Sequence, residues 1–380
     1  MSGKDINLVK VDNDSLKNQF INLPYKLYKD EPNWVPPLRF DVRNNLDTKK
    51  NPLYHHTKIE LWLAFRDGEI VGRIAGIINE AHNKFHKDKV GFFGFFECIN
   101  NQDVANMLLD KAAEFCSNNG MNTMRGPVNP STNDECGLLI DAFDKPNVML
   151  MTYNFKYYAE LLENYGFQKA KDLYAIWVPA EVITYPSMEK YNRISDLILK
   201  REDLEIRKVN MKDFINEVQR VREVYNDAWQ DNWGFVPMTE EEFMFIAKNL
   251  KMVVDPDFVY FAIKKGTGET VGFSLSLPDN NQAIMGLNGK LFPFGIFKFL
   301  SQRKKIDQIR VIIMGVKQGY QKKGIDAVFY RDTIVTGNKK GVKGAEVSWI
   351  LEDNMPMMQT AMNMGGKVYK TYRIYDKNLA

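Results

Sequence analysis

The segment MGVKQGYQKKGIDAVFY, from Met314 to Tyr330, has the spacing with the clearest chemical meaning in this chain. An apolar run ends at Val316. A polar loop follows with Gln321, Lys322, Lys323 and Gly324, and helical spacing resumes at Ile325. A strand, loop and helix in this order build an anion site. Glycine permits close backbone approach, successive N–H groups converge, and the helix start adds partial positive charge. Lys322 and Lys323 add mobile cations, so a diphosphate is the natural guest. The same residues would also make a solvated turn. Asp326 favours the helix it opens. Beside a diphosphate it would repel, unless it points away or pairs with Lys322 or Lys323.

Other chemistry-bearing residues carry less. His82 and His86 have the i, i+4 spacing of a metal pair, but no complete ligand set surrounds them and the helix reads as polar and solvated. No metal is expected. Cys136 has no histidine after it in the chain and reads as a structural thiol.

The elements that position these residues repeat. NWVPPL begins at Asn33 and NWGFVPM at Asn232, an offset of 199. LAFRDGEIVGRIAGI, from Leu63, alternates around an Asp67-Gly68 turn as a β-hairpin does, and FAIKKGTGETVGFSL matches it from Phe261. Gly166 corresponds to Gly365 at an offset of 199, and Gly120 to Gly341 at 221. Extra residues therefore precede the last site in the second half, around Leu287 to Gln308. Strands alternating with helices predict an α/β (α+β) chain of two similar domains, each a mixed, mostly antiparallel sheet flanked by helices. The boundaries expected are 1–181, a linker at 182–203, and 204–380.

Bulk composition excludes several classes. The 380 residues suit two or three domains, with 44% hydrophobic and 26% charged residues as in ordinary globular chains. A net charge of +3 argues against a nucleic-acid partner. The stretch MSGKDINLVKVDND lacks the apolar core of a signal peptide. LFPFGIFKFL, at 291–300, is too short to span a bilayer and holds Pro293 and Lys298, so no integral membrane segment is expected. Together with the SQRKK that follows, it could touch a membrane or a long acyl chain, or pack as a helix. Cys98, Cys116 and Cys136 form no even disulfide framework, which fits a cytoplasmic location.

The strand-loop-helix segment resembles the coenzyme A signature of the GNAT superfamily of N-acyltransferases: Arg or Gln, two residues, Gly, one residue, Gly or Ala. Gln321 and Gly324 match the first two fixed places, and Asp326 departs at the third. Element order extends the resemblance to most of the chain, as a tandem member. It implies acetyl-CoA or another acyl-CoA as co-substrate and a small-molecule or peptide amine as acceptor. Val316 would hold the pantetheine arm. The loop from Gln321 to Asp326 would bind the diphosphate, and Asn354 resembles the helix-start Asn that touches coenzyme A, though it also suits a helix cap. Where many members have a Tyr, four residues before Gly365, this chain has Ala361; Tyr372 and Tyr375 lie nearby.

Acyl transfer to an amine needs a base, an oxyanion donor and a proton for the thiolate. In GAEVSWILEDN, period two puts Glu346 and Ser348 on one face. Glu346 could be the base and Ser348 a donor, or both could lie on a solvated strand face. The acceptor is expected under NDAWQDNWGFVPMTEEE, where Trp229, Trp233 and Phe235 could wall it and Asp227, Asp231 and Glu240 attract an amine. Those aromatics could equally be core, with Thr239 and Glu242 forming a capping box. The function expected is an N-acyltransferase, chiefly of acetyl groups, with coenzyme A bound by the C-terminal half. The alternatives are a non-catalytic acyl-CoA binding module and an aminoacyl or long-chain acyl transferase.

Overall fold

The computed structural model describes residues 6–379; Met1 to Asp5, in the polar N-terminal stretch, and Ala380 lie outside it. The chain divides into two units. The first comprises Met1–Leu173, Ile284–Phe299 and Lys370–Ala380, the second Tyr174–Ala283 and Leu300–Tyr369.

In chain order, β1 (Ile6–Lys10) leads to α1 (Asp14–Leu27) and α2 (Arg39–Asn45). The hairpin of β2 (Thr57–Arg66) and β3 (Glu69–Asn79) follows, then α3 (Glu80–His86), β4 (Val90–Cys98), α4 (Gln102–Asn118) and β5 (Thr123–Gly126). Short strands β6 (Val128–Asn129), β7 (Glu135–Cys136) and β8 (Leu138–Leu139) and helix α5 (Tyr158–Asn164) precede β9 (Gln168–Pro179). The second half runs through α6 (Tyr185–Arg201), β10 (Leu204–Lys208), α7 (Phe214–Ala228), α8 (Glu240–Leu250), β11 (Val259–Lys264) and β12 (Thr270–Pro278). Next come α9 (Asn281–Ile284), α10 (Gly295–Arg303), β13 (Gln308–Val316), α11 (Ile325–Lys340), β14 (Gly344–Leu351), α12 (Met355–Asn363) and β15 (Lys367–Asn378).

The first unit's sheet runs β1-β2-β3-β4-β5-β15. All neighbours are antiparallel except β4 and β5. Asp67 and Gly68 take φ of +52° and +79°, the left-handed pair that a tight hairpin turn requires. Val104, Leu108, Ala112 and Cys116 of α4 are buried at helical spacing. Gly72 makes room for them, because a Cβ there would stand 2.6 Å from Leu108.

The second unit repeats the plan as β10-β11-β12-β13-β14-β9, antiparallel from β10 to β13 and parallel between β13 and β14. Ile325, Val328 and Phe329 of α11 pack with Tyr260 and Val271 of the sheet. The mixed, mostly antiparallel sheets flanked by helices are those expected. Residues 182–203, expected to be a linker, instead contain the 17-residue helix α6, whose Ile198 and Ile194 join the same cluster. Of the inserted residues, Leu287 and Leu291 are buried beside Val35 and Ile284 in the first unit.

Candidate active site

The site begins where β13 and β14 part. Their parallel register runs only from Gln308–Gly344 to Val311–Val347. From Ile312 to Val316 that edge of β13 has no strand partner among the described residues. Ile312, Ile313, Met314 and Val316 are half-exposed, whereas Ile309, Arg310 and Val311, in the paired part of the strand, are buried. A parted parallel pair leaves backbone N–H and C=O groups free for an extended guest.

The loop after β13 is held from two sides. Asp227 accepts a hydrogen bond from the Gln318 backbone at 2.7 Å, and Asp231 accepts one from the Gln318 side chain at 2.9 Å. These two acids therefore anchor the loop, a different task from attracting an amine. On the other side, Arg201 of α6 donates to the Lys323 carbonyl at 2.7 Å, and Glu202 lies 3.3 Å from the Lys323 ammonium. Gln321 donates to the Val316 carbonyl at 3.3 Å.

Within this frame Lys322 and Gly324 take φ of +60° and +86°. Gly324 is the residue before α11 and makes no side-chain cap. No hydrogen bond reaches the amides of Lys322, Lys323, Gly324, Ile325 or Asp326 among the described residues. Five uncommitted N–H groups at a helix start form a cradle for an anion. Lys322 is exposed and Lys323 half-buried over Tyr320. Ile325 is buried in the core and contributes its backbone only. Asp326 has no cationic partner among the described residues, so neither lysine offsets it.

Glu346 and Ser348 are 0% and 2% exposed, which removes the solvated strand face as their explanation. Ser348 donates to Glu346 at 2.5 Å, Arg310 of β13 donates to the Ser348 hydroxyl at 2.9 Å, and Tyr369 donates to the other Glu346 oxygen. The Arg310 guanidinium stands 3.9 Å from the Glu346 carboxylate. Such a buried carboxylate is tolerable because donors and an opposite charge surround it. The cluster sits where the two strands part, since Ser348 is the first residue of β14 beyond the last pair. Sequence reasoning missed Arg310 and Tyr369. A lone cation inside the apolar run IRVIIMGV was the signal for the first.

Trp229 stacks on Tyr225 with ring centres 4.9 Å apart and covers Gly315, where a Cβ would meet its ring at 2.2 Å. Trp233 is half-buried. Phe235 is buried with its ring 5.6 Å from Tyr225, so it is core and no wall for a substrate. Thr239 and Glu242 form the capping box of α8, and Glu240 is exposed in its first turn. Asn354 caps α12 through the Met357 amide at 3.3 Å. Tyr375 lies in the first unit's core cluster and donates to Glu163, and Ala361, on α12, is buried in a cluster with Ile176 and Val347. His82 is buried against Phe92 rather than solvated. No group of three metal-ligating side chains occurs among the described residues.

The chain matches no protein-family model. It resembles a tandem GNAT protein from the clavulanic acid biosynthesis pathway, with a TM-score of 0.59, 11% identity and 99% of each chain covered. A GCN5-related N-acetyltransferase from Sphaerobacter thermophilus aligns over 100% of this chain and 97% of its own, with a TM-score of 0.53 and 12% identity. These likenesses define the fold. Two proteins are similar in sequence as well. Protein YghO of Escherichia coli is 36% identical over 370 residues, 95% of this chain and 92% of that protein. The bacterial ceramide synthase of Caulobacter vibrioides is 35% identical over 388 aligned positions, 99% of this chain and 98% of that protein. The chain belongs to the family that holds these two proteins, and its fold is that of the tandem GNAT proteins.

Proposed function

We propose that this chain is an acyl-CoA-dependent N-acyltransferase whose acceptor is a long-chain amine, so that its product is a ceramide-type amide. The observation that carries the reading is the 35% identity to the Caulobacter ceramide synthase, which extends over 98% of that protein. The donor cargo is then a long acyl chain rather than the acetyl group expected from the motif alone. The amine nitrogen attacks the thioester carbonyl, a C–N bond forms, the C–S bond breaks, and the departing thiolate takes up a proton. The free amides from Lys322 to Asp326 support a diphosphate at that place, and the open edge of β13 up to Val316 supports an extended pantetheine arm. The buried Arg310–Ser348–Glu346–Tyr369 cluster supports the parted strands and is a set of positioning residues in this reading.

The test is purified chain with palmitoyl-CoA and a long-chain base, following free thiol and the amide by mass spectrometry. Amide formed by the wild type and lost in Gly324→Val is the expected result. Consumption of acetyl-CoA with short amines, with the long-chain base left unmodified, would overturn the reading.

A further inference from the structure

The segment from Lys290 to Lys305 is apolar on two sides. Its inner side is committed: Leu291 is buried beside Val35, and Ile296 and Phe299 pack against the same cluster. Its outer side is bare. Phe292, Phe294 and Phe297 are 70%, 81% and 70% exposed, and Leu300, one turn after Phe297 on α10, is 51% exposed. Singly exposed apolar residues are ordinary. Four within nine positions, three of them phenylalanine, form a patch that water does not favour. The charge along the segment has one sign. Lys290, Lys298, Arg303, Lys304 and Lys305 lie between Gly289 and Ile306, and that stretch contains no Asp or Glu. Lys290, Lys304 and Lys305 are exposed, and none has an acidic partner among the described residues. No helix here is long and apolar enough to cross a membrane.

We propose that this segment is an interfacial anchor that seats the protein on an anionic phospholipid surface. Phe292, Phe294 and Phe297 enter the boundary between headgroups and acyl chains, and the lysines meet the lipid phosphates. The positive charge selects this occupant. A second copy of the chain would bring its own five cations against these, and like charges would oppose the contact. The inner packing fixes the rings outward before any lipid arrives, so little ordering opposes insertion. The inference rests on exposure and charge alone and stands whether or not the acceptor is a long-chain amine.

The experiment is flotation of the full chain with vesicles of phosphatidylglycerol and phosphatidylcholine, and with phosphatidylcholine alone. The wild type should float with the anionic vesicles and be released by salt. The double variant Phe294→Ala/Phe297→Ala should lose at least about tenfold in partitioning while melting as the wild type does. Lys304→Ala/Lys305→Ala should weaken binding and flatten its salt dependence. Phe297→Trp should shift its emission to the blue on adding anionic vesicles. A wild type that stays with the soluble fraction overturns the proposal, as does a double aromatic variant that floats undiminished. A dimer that the aromatic variant splits, with no vesicle binding, would assign the patch to a second copy and also overturn it.

Discussion

Gly324 joins a backbone demand to a steric one. Its φ of +86° suits glycine, and a Cβ there would approach Ile198 to 2.8 Å. Gly324→Val should therefore cost about 1 kcal/mol or more in stability and weaken coenzyme A by at least about tenfold. Calorimetry on a variant that still melts cooperatively checks this, and unchanged affinity would remove the loop from the site. Asp326 is the opposite case, a charge that the site tolerates without an evident partner. Asp326→Ala should tighten coenzyme A by up to about tenfold. Weaker binding would mean that the carboxylate orders the loop. His82 gives a prediction of pH dependence. Burial first, and then the nearby charges of His86 and Arg125, push its pKa down to about 3. The ring is thus neutral in the folded chain, and its 3.5 Å approach to Asp88 is no ion pair at neutral pH. Unfolded, it titrates near 6.5, so between these values the unfolded chain binds more protons and stability falls with falling pH. One pH unit below 6.5 the loss should be about 1.4 kcal/mol, and it should be smaller in His82→Gln. Urea melts at pH 7.5 and 5.5 give the difference, and parallel curves for the two proteins would refute the assignment.

At the scale of elements, the loop proposed to cradle a diphosphate is held by segments on either side of it. The end of α7 grips Gln318, and the end of α6 grips Lys323. Asp227→Ala should leave the Gln318 amide uncapped and cost about 1 kcal/mol locally. The expected sign is faster hydrogen exchange across residues 318–324 and weaker coenzyme A binding, with the melting midpoint little changed. Exchange that stays at the wild-type rate would show that Gln318 needs no such stitch. The composition of α6 explains why it read as a linker. YPSMEKYNRISDLILKR is polar along most of its length, and its helical stripe is justified only by the partners it meets, Ile325 and Phe329. Asp227 and Asp231 were misread for a related reason. Acidic residues in an aromatic loop suggest an amine, and only the returning chain at Gln318 shows what they bind. Glu346 and Ser348 were legible as a pair on one strand face. That the face is buried depends on Arg310 and Tyr369, which arrive from other strands.

Over the whole chain the repeat was legible because its markers are backbone requirements. Gly72 and Gly272, 200 residues apart, each lie under a helix, with Leu108 over one and Phe329 over the other. Leu108 and Phe329 are separated by 221 residues, as are Gly120 and Gly341 at the ends of α4 and α11, with φ of +79° and +72°. What differs between the units bears on how many coenzyme A molecules one chain would bind under the proposed function. In the first unit β4 pairs with β5 only from Val90 to Phe92, so this strand pair parts as β13 and β14 do. Here the gap is filled. Asn129 accepts a hydrogen bond from the Phe95 amide at 2.6 Å, and the Val128 carbonyl lies against Gly94. The strand edge that a pantetheine arm would use is already committed. The following helix start is occupied as well, since Asn101 caps α4 through the Val104 amide at 3.0 Å. Asp103 stands in the first turn of that helix, where it offsets a partial charge of about +0.5. Glu97, at the strand end, is held by Arg73, Tyr28 and Tyr158 and faces no ligand loop. One coenzyme A should therefore bind per chain, at the loop around Gly324. Calorimetric stoichiometry of one, abolished in Gly324→Val and unaffected by Asn101→Ala, is the expected outcome. Two equivalent sites, or binding lost on changing Asn101 alone, would place the cofactor in the first unit and reverse the division of labour argued from Asn129 and Gly324.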